Sequence, residues 1–556
     1  MVQVWRRIRQ RLAEFRQLLL IGAMLAAELA ASPAPKFYND DPLWSEPKPL
    51  PVSTAAKREI VEQYEFLQNT FKEPYRREHR EGAIPRAQNA NTLDEVPDCS
   101  WYTNRFGTPG SVPHQRMLLA DLVRGPGNAN QPSMDGVWTV LSNKYTGVTS
   151  GFIILDSTGK KFILKLDPVS NPDMTTAVDV IGSRFFYALG YNVPENHIVN
   201  FTRDQLRLTA KSRHKGDGHE RRMTQSDVND ILAETRRDRE GRYRAMASFY
   251  VPGEIIGPFR YNGTRSDDPN DVVPHENRRE LRGLYVFAAW LNHTDAKSSN
   301  TLDSLVEDNG LRYIKHYLVD FGAILGSGTL RPKNPADGHV NMFNIKPATV
   351  QFATLGLNVP PWDRATYRDI REAGRFEAAS FDPGNWKPNY PNVAFDLRRP
   401  DDDFWGATRV MAFTDADIRA VVDTGEYSDP RARDWIANAL IARRDKIGRA
   451  FFSELLPLNN FRVSGGRIAF DDLAVQYGFA PARSYQIQWS RFDNGAGRKE
   501  RLPGAAGPAI PARFQDLPAG SYFSADIMSD DPHKTVTVYL RKINGGFEVM
   551  GIDRNW

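Results

Sequence analysis

The sequence predicts a chain of α+β class, with a β-rich segment, then an α-rich one, then a closing all-β segment. Three observations predict it. From Gly136 onward apolar residues alternate with polar ones, the period of a half-buried strand. Over residues 176–189, 280–292 and 429–455 apolar residues recur instead at helical spacing. After Pro457 short apolar runs return between Gly and Pro turns, the pattern of a β-sandwich.

At 556 residues the chain has room for about three or four domains. Its 41% hydrophobic and 25% charged residues are ordinary globular composition. The formal charge of +4, from 72 basic and 68 acidic residues, is near neutral and makes no case for a nucleic-acid partner. Cys99 is the single cysteine, which excludes an intrachain disulfide, a cysteine zinc site and a redox pair together.

Residues 1–31 place Arg6, Arg7, Arg9, Arg11 and Arg16 before an apolar run from Leu18 to Ala27 and the small residues Ala30 and Ala31. That is the order of a signal peptide and predicts export, periplasmic or extracellular. The run is short for a membrane span, and Glu28 interrupts it. The alternative is an amphipathic anchor helix over residues 5–29, the chain's one route to a membrane. Six prolines make residues 32–53 an extended linker. An N-terminal extension, residues 54–135, opens with a predicted helix from a Thr54 cap to Phe71, with Ile60, Tyr64 and Leu67 on its stripe. In the same extension Asp98 to Tyr102 reads as a buried anchor.

Residues 136–255 form the β-rich lobe. Trp138 and Val140 alternate with polar neighbours, residues 147–151 turn, residues 152–155 make a strand, and Ser157-Thr158-Gly159 turns into a third strand over 161–166. In that strand Phe162, Leu164 and Leu166 share one face, so Lys165 emerges on the other. A lysine there either snorkels at an edge or clamps a phosphate. The helix over 176–189 buries Val178, Ile181, Phe185 and Leu189, and Gly190 closes it. Asp179 near its start either favours the helix N-terminus or orients Lys165, with Glu195 the second candidate for that role. Residues 197–208 read as a strand, residues 211–244 as solvated charge with a helix at 226–234. Residues 245–251 make a strand leading to a hinge at Pro252-Gly253-Glu254.

Residues 256–459 form the α-rich lobe. The helix over 280–292 delivers His293 directly, and a strand over 311–319 runs into Asp320-Phe321-Gly322. Residues 334–405, with Pro335, Pro347, Pro360, Pro361, Pro383, Pro388 and Pro391, read as an irregular insertion pinned by Phe352, Trp362, Trp386 and Tyr390. Thr414 caps a helix to about Val422, and the helix over 429–455 turns Trp435, Leu440, Ile447 and Phe451 inward. Residues 460–556 are the β-sandwich-like segment.

The chemistry concentrates in His293-Thr294-Asp295-Ala296-Lys297-Ser298-Ser299-Asn300 and in Asp320 beyond it. Phosphoryl transfer needs a carboxylate beside the attacking hydroxyl, and an amide and a second carboxylate to hold magnesium against phosphates. Asp295, Asn300 and Asp320 supply these in that order. A His-x-Asp-x-x-x-x-Asn pattern arises by chance only on the order of a few hundredths of a time in such a chain.

With Val319-Asp320-Phe321-Gly322 and the strand Phe162-Ile163-Leu164-Lys165, this loop resembles that of the protein-kinase-like superfamily. The resemblance covers residues 136–459 and implies a bilobal kinase-like fold. It departs from ordinary protein kinases in Thr294 where they carry arginine, in lacking an Ala-Pro-Glu motif after Gly322, and in a glycine loop reduced to Gly147 and Gly151. Those departures look like the atypical branch of HipA-type, CotH-type and phosphoinositide-kinase-like members. The resemblance implies that Asp295 accepts the proton or orients the acceptor hydroxyl and that Lys297 neutralises the transferring group. It further implies that Asn300 and Asp320 ligate Mg2+, and that Lys165 with Asp179 holds the phosphates of ATP beneath Gly147 and Gly151. The nucleotide base would lie near residues 247–251, and His293 would pack beneath the loop. The implied function is ATP- and magnesium-dependent phosphate transfer to an unknown hydroxyl acceptor, protein or small molecule. The alternatives are a pseudokinase or binding protein of the cell envelope and a nucleotidyl transferase using the same residues.

Overall fold

The computed structural model describes residues 34–78, 82–105, 117–127, 129–216, 218–343 and 359–556. The predicted signal or anchor segment lies outside the described residues, as do Pro347 and Phe352 of the predicted insertion. The chain divides into two compact units. Of the described residues, one comprises those within Leu43–Asn460, Phe470–Ala482 and Arg554–Trp556; the other comprises residues 34–42, Phe461–Ala469 and Arg483–Asp553.

The first unit opens with α1 (Glu62–Leu67), a π-helical turn over Gln68–Lys72, α2 (Glu73–Glu78) and α3 (Leu119–Arg124). The predicted meander follows as β1 (Trp138–Asn143), β2 (Gly151–Leu155) and β3 (Lys161–Leu166), antiparallel throughout. Next come α4 (Met174–Ala188), β4 (Asn196–Phe201), β5 (Leu206–Gly216), β6 (His219–Arg222), α5 (Gln225–Ala233) and β7 (Tyr243–Phe249). All seven strands join one sheet in the order β4-β7-β3-β2-β1-β5-β6. Phe162, Leu164 and Leu166 of β3 pack with Trp138, Phe152 and the α5 residues Val228 and Leu232. Lys165 therefore leaves the opposite face, toward α4.

Beyond β8 (Glu254–Gly257) the chain turns helical. Every residue of α6 (Arg279–Leu291) is buried, the condition of a helix at the centre of a large core. Asn292, in the left-handed conformation at φ 52°, ends it and starts the loop that carries His293. The hairpin β9 (Thr301–Asp308) and β10 (Leu311–Leu318) pairs with β8 and leads to Asp320. The helices α7 (Val393–Asp396), α8 (Pro400–Met411), α9 (Asp415–Asp423) and α10 (Pro430–Phe451) then enclose α6. A short α11 (Leu473–Gln476) completes this unit's helices. The strands β11 (Leu458–Ser464) and β12 (Arg467–Asp472) form a hairpin of their own.

The second unit is built on one sheet of β13 (Gln486–Asp493), β14 (Arg498–Ala506), β15 (Tyr522–Met528), β16 (Thr535–Ile543) and β17 (Gly546–Asn555), ordered β14-β13-β15-β16-β17. Phe514 stacks on Phe523 at 4.4 Å, and Phe37 packs with Phe492, Tyr539 and Met550.

Four sequence expectations change. The predicted helix from Thr54 begins only at Glu62, because the backbone before it is held extended by bonds from Val52 N to Arg312 O and from Arg58 N to Ile256 O. The proline-rich stretch is extended as expected, yet its ends are packed, through Phe37 and through Val52, both buried. Residues 197–208 are not one strand: a turn over Arg203–Gln205 separates β4 from β5, and the two lie on opposite sides of β7-β3-β2-β1. The predicted insertion gives way to α8 before its end, with Pro400 in the first turn and Asp401, Asp402 and Asp403 beside it, all signals of a helix start. The strand β14 was not predicted either.

The charged start of α6 is tolerated in the core because carboxylates meet it. Arg279, fully buried, lies 2.9 Å from Asp401, 2.8 Å from Asp402 and 3.0 Å from Asp94. Removing one partner of such a cluster leaves uncompensated buried charge. Arg279→Met is therefore expected to destabilise the chain by about 3–5 kcal/mol, read as a fall in the urea midpoint.

Candidate functional site

Three elements converge on one ammonium. Lys165 Nζ, from the middle of β3, donates to Asp179 Oδ2 at 2.8 Å and to Asp320 Oδ1 at 2.7 Å. Asp179 comes from the second turn of α4 and is buried; its Oδ1 accepts the backbone N–H of Phe321 at 2.9 Å. Glu195, the other candidate for Lys165, instead accepts from Asn130 Nδ2 at 2.7 Å. Asp320 holds a left-handed backbone at φ 62°, a conformation aspartate tolerates better than most side chains. Its side chain stays 45% exposed while those of Lys165 and Asp179 are 9% and 1% exposed.

Gly182 permits this convergence. A Cβ there would meet Phe321 Cβ at 2.6 Å, so only glycine lets α4 approach the Asp320 turn. Phe321 stacks on Phe186 of the same helix at 4.9 Å, and His293 meets both rings edge-on.

Electrostatics follow the geometry. Burial alone would lower the Lys165 ammonium, but Asp179 and Asp320 outweigh it and push its pKa up. Burial likewise acts to raise Asp320, and Lys165 with Lys144 reverses that, bringing it down to about 2. Asp179, the more deeply buried carboxyl, is raised by desolvation despite Lys165.

The loop after α6 presents the second set. Asn300 Nδ2 donates to the Asp295 backbone carbonyl at 2.8 Å and to Asp295 Oδ2 at 2.9 Å. Lys297 Nζ lies 3.3 Å from Asp295 Oδ1. Burial raises the Asp295 carboxyl against Lys297 and Asn300. The backbone N–H of Val319 donates to Asn300 O at 3.0 Å, so the loop and the Asp320 turn are joined directly. Among the described residues no group of three His, Cys, Asp or Glu gathers to hold a metal ion. Asp320 and the side-chain oxygen of Asn300 could supply two hard oxygen ligands, and a cation there would take the rest from water and phosphate, as magnesium usually does.

Gly147 lies in the β1–β2 connection and Gly151 is the first residue of β2. Gly147 has φ 70°, while Gly151 pairs so closely with β3 that a Cβ would sit 1.9 Å from Leu164 O. Strand pairing alone thus demands Gly151.

Several residues were missed by sequence reasoning. Lys144, just ahead of the glycine turn, donates to Thr149 O at 3.2 Å and is brought down to about 8 by burial and by Lys165. Its signal was a basic residue at the mouth of a glycine-containing turn. Beneath the loop, Lys333 donates to Asn292 O at 2.7 Å and to Thr294 Oγ1 at 2.6 Å. Trp386 Nε1 donates to Asn292 Oδ1 at 2.9 Å, and Asn392 Nδ2 to Ala296 O at 3.2 Å. Lys333, with Trp386 and Asn392 of the irregular region, thus forms the floor of the loop. No local pattern announces such long-range bonds. His293 is buried there with its pKa brought down to about 3 by desolvation and by Lys333, which keeps it neutral.

No protein-family model matches this sequence, and no curated protein matches it. Among solved structures the chain is similar to the Helicobacter pylori proinflammatory kinase CtkA, at 12% identity over 56% of this chain and 95% of that one, with a TM-score of 0.29. It is similar to the golgi casein kinase at 11% identity over 74% of this chain and 95% of that one, with a TM-score of 0.27. Likeness that slight decides no chemistry.

Lys333 yields a pH test. Burial lowers its pKa from 10.5 to about 7, with Arg443 adding to burial and Asp337 and Asp295 opposing it. Between those values the unfolded chain binds more protons than the folded one, so this lysine makes stability rise with pH. From pH 7 to pH 9 its contribution is about 2 kcal/mol. Denaturant midpoints over that range should rise less in Lys333→Met than in the wild type; equal slopes would refute the assignment.

Proposed function

We propose that this chain is an atypical, ATP- and magnesium-dependent phosphotransferase acting on a hydroxyl acceptor, and that it works after export. The observation that carries the reading is Lys165 held between Asp179 and Asp320, with Asp320 half-exposed. A buried ion pair such as Lys165 with Asp179 adds little stability, since well-packed apolar residues usually serve as well. Such perturbed charges at one place are characteristic of functional sites.

Bound Mg2+ would supply positive charge that neutralises the phosphates. Asp320 and Asn300 would hold it, and Lys165, kept charged by Asp179, would bind phosphate oxygens. Asp295 would orient the acceptor hydroxyl and take its proton. Asn300 and Lys297 hold that carboxylate in one position, and Lys297 is placed to offset charge on the transferring group. The backbone of residues 247–251 would border the nucleotide base. Thr294 stands where ordinary protein kinases carry arginine and accepts from Lys333, so the reading includes no control by phosphorylation there. Export rests on the signal-like order of residues 1–31 alone. No described helix is long and apolar enough to cross a membrane.

ATP labelled at the terminal phosphate should label an acceptor, or the chain itself, in a magnesium-dependent way, and Asp320→Ala should slow this on the order of a hundredfold or more. Label transferred only from the first phosphate would make the chain a nucleotidyl transferase. No transfer and no magnesium-dependent ATP binding would leave a binding protein. For export, the mature N-terminus decides: a chain isolated with Met1 from the soluble cytoplasmic fraction would defeat it.

A further inference from the structure

The acceptor side of the loop is already covered by the chain's own N-terminal extension. Glu62 Oε2 of α1 lies 3.2 Å from Lys297 Nζ, the same ammonium that contacts Asp295. One residue along the loop, the Ser298 hydroxyl donates to the Glu65 carboxylate. Glu62 and Glu65 are three apart on the helix and so share a face. Beside them Phe66 meets the Tyr390 ring edge-on at 5.4 Å, and that ring lies 5.1 Å from Lys297 Nζ. Farther along, Phe71 packs on Phe343 at 5.6 Å and Arg77 pairs with Asp396 at 3.1 Å.

We propose that residues 59–78 are an autoinhibitory strap, which sets Glu62 and Glu65 on the catalytic loop and must lift before an acceptor can reach Asp295. The inference rests on the phosphoryl-transfer reading. Glu62 gives Lys297 the negative charge that a transferring phosphoryl group would otherwise supply. Both carboxylates are engaged by the loop itself, so they are not free to recognise an acceptor; the contact blocks the site.

The strap is held weakly. No residue of α1 or of the π-helical turn is buried, and Val61, Tyr64, Leu67, Phe71 and Tyr75 are all at least half exposed. Segments with few buried apolar contacts open at low cost. Its root is firm by contrast, through bonds from Ala56 N to Asp267 Oδ2 at 2.7 Å and from Arg58 N to Ile256 O at 2.9 Å. Beyond its far end the chain is held again, where Arg282 Nη1 donates to Pro85 O at 2.8 Å, so the segment lifts between two anchors and returns.

The test uses the intact chain, wild type beside the double variant Glu62→Gln, Glu65→Gln. A second double variant, Phe66→Ala, Phe71→Ala, loosens the strap without touching charge. Three quantities are read: amide exchange over residues 62–72, the rate of Lys297 acylation by an amine reagent, and magnesium-dependent phosphate release from ATP. Losing one part-exposed ion pair and one hydrogen bond to a carboxylate should raise Lys297 acylation about threefold to tenfold, speed the exchange and raise phosphate release in parallel. Exchange over residues 62–72 in the wild type as slow as in α6, or acylation unchanged in both variants, overturns the strap. Phosphate release that falls while acylation rises also overturns it, because the helix would then complete the site. Faster acylation with no phosphate release from any form sinks the phosphoryl-transfer reading, and the inhibitory role with it, while leaving the mobile clasp established.

Discussion

The site depends on one buried ammonium shared by two carboxylates. Lys165 sits on a strand, Asp179 on a helix and Asp320 on the turn after a hairpin, and their contact joins those three backbones at one point. Any one of the charges would be costly to bury alone. Together they fix the approach of α4, and Gly182 makes that approach sterically possible. The Phe321 N–H bond to Asp179 then ties the turn to the same carboxylate, so the position of Asp320 follows from the position of Lys165.

The second constraint lies beneath. The buried α6 aims the loop from His293 to Asn300, and Lys333 together with Trp386 and Asn392 of the irregular region holds its underside. Those contacts restrain the loop from below, whereas the contacts above it, from Glu62 and Glu65, come from a segment without buried side chains. A rigid floor and a weakly held cover are what a site needs if it is to be kept closed and then opened.

Much of this was legible in the sequence where local rules decide. Alternation placed Lys165 on the face opposite Phe162 and Leu164; helical spacing found α4, α6 and α10; Thr414 and Asp429 announced helix starts, and both cap as side chains. Sequence spacing left Asp179 and Glu195 both open as partners of Lys165, and only the packing of α4 chose between them. Long-range pairing was what the sequence could not display. The strands on either side of residues 203–205 look continuous until β7 and β1 claim them separately, and Thr54 fails as a cap because distant carbonyls hold its neighbours extended. Lys333 and the strap carboxylates resemble ordinary surface charge in sequence, since nothing local says that a loop lies against them. For α8 the signals were present in Pro400 and the three aspartates, but the surrounding prolines masked them.

The central claim, that Lys165 and Asp320 form the phosphate and metal side of an ATP site, is tested most directly by titration calorimetry of ATP into the intact chain. Wild type should bind ATP with magnesium and much less without it, and Lys165→Met should weaken the magnesium-dependent binding by at least about tenfold, the loss expected for a charge-assisted hydrogen bond. Equal affinity in the two proteins, or binding indifferent to magnesium, would contradict it.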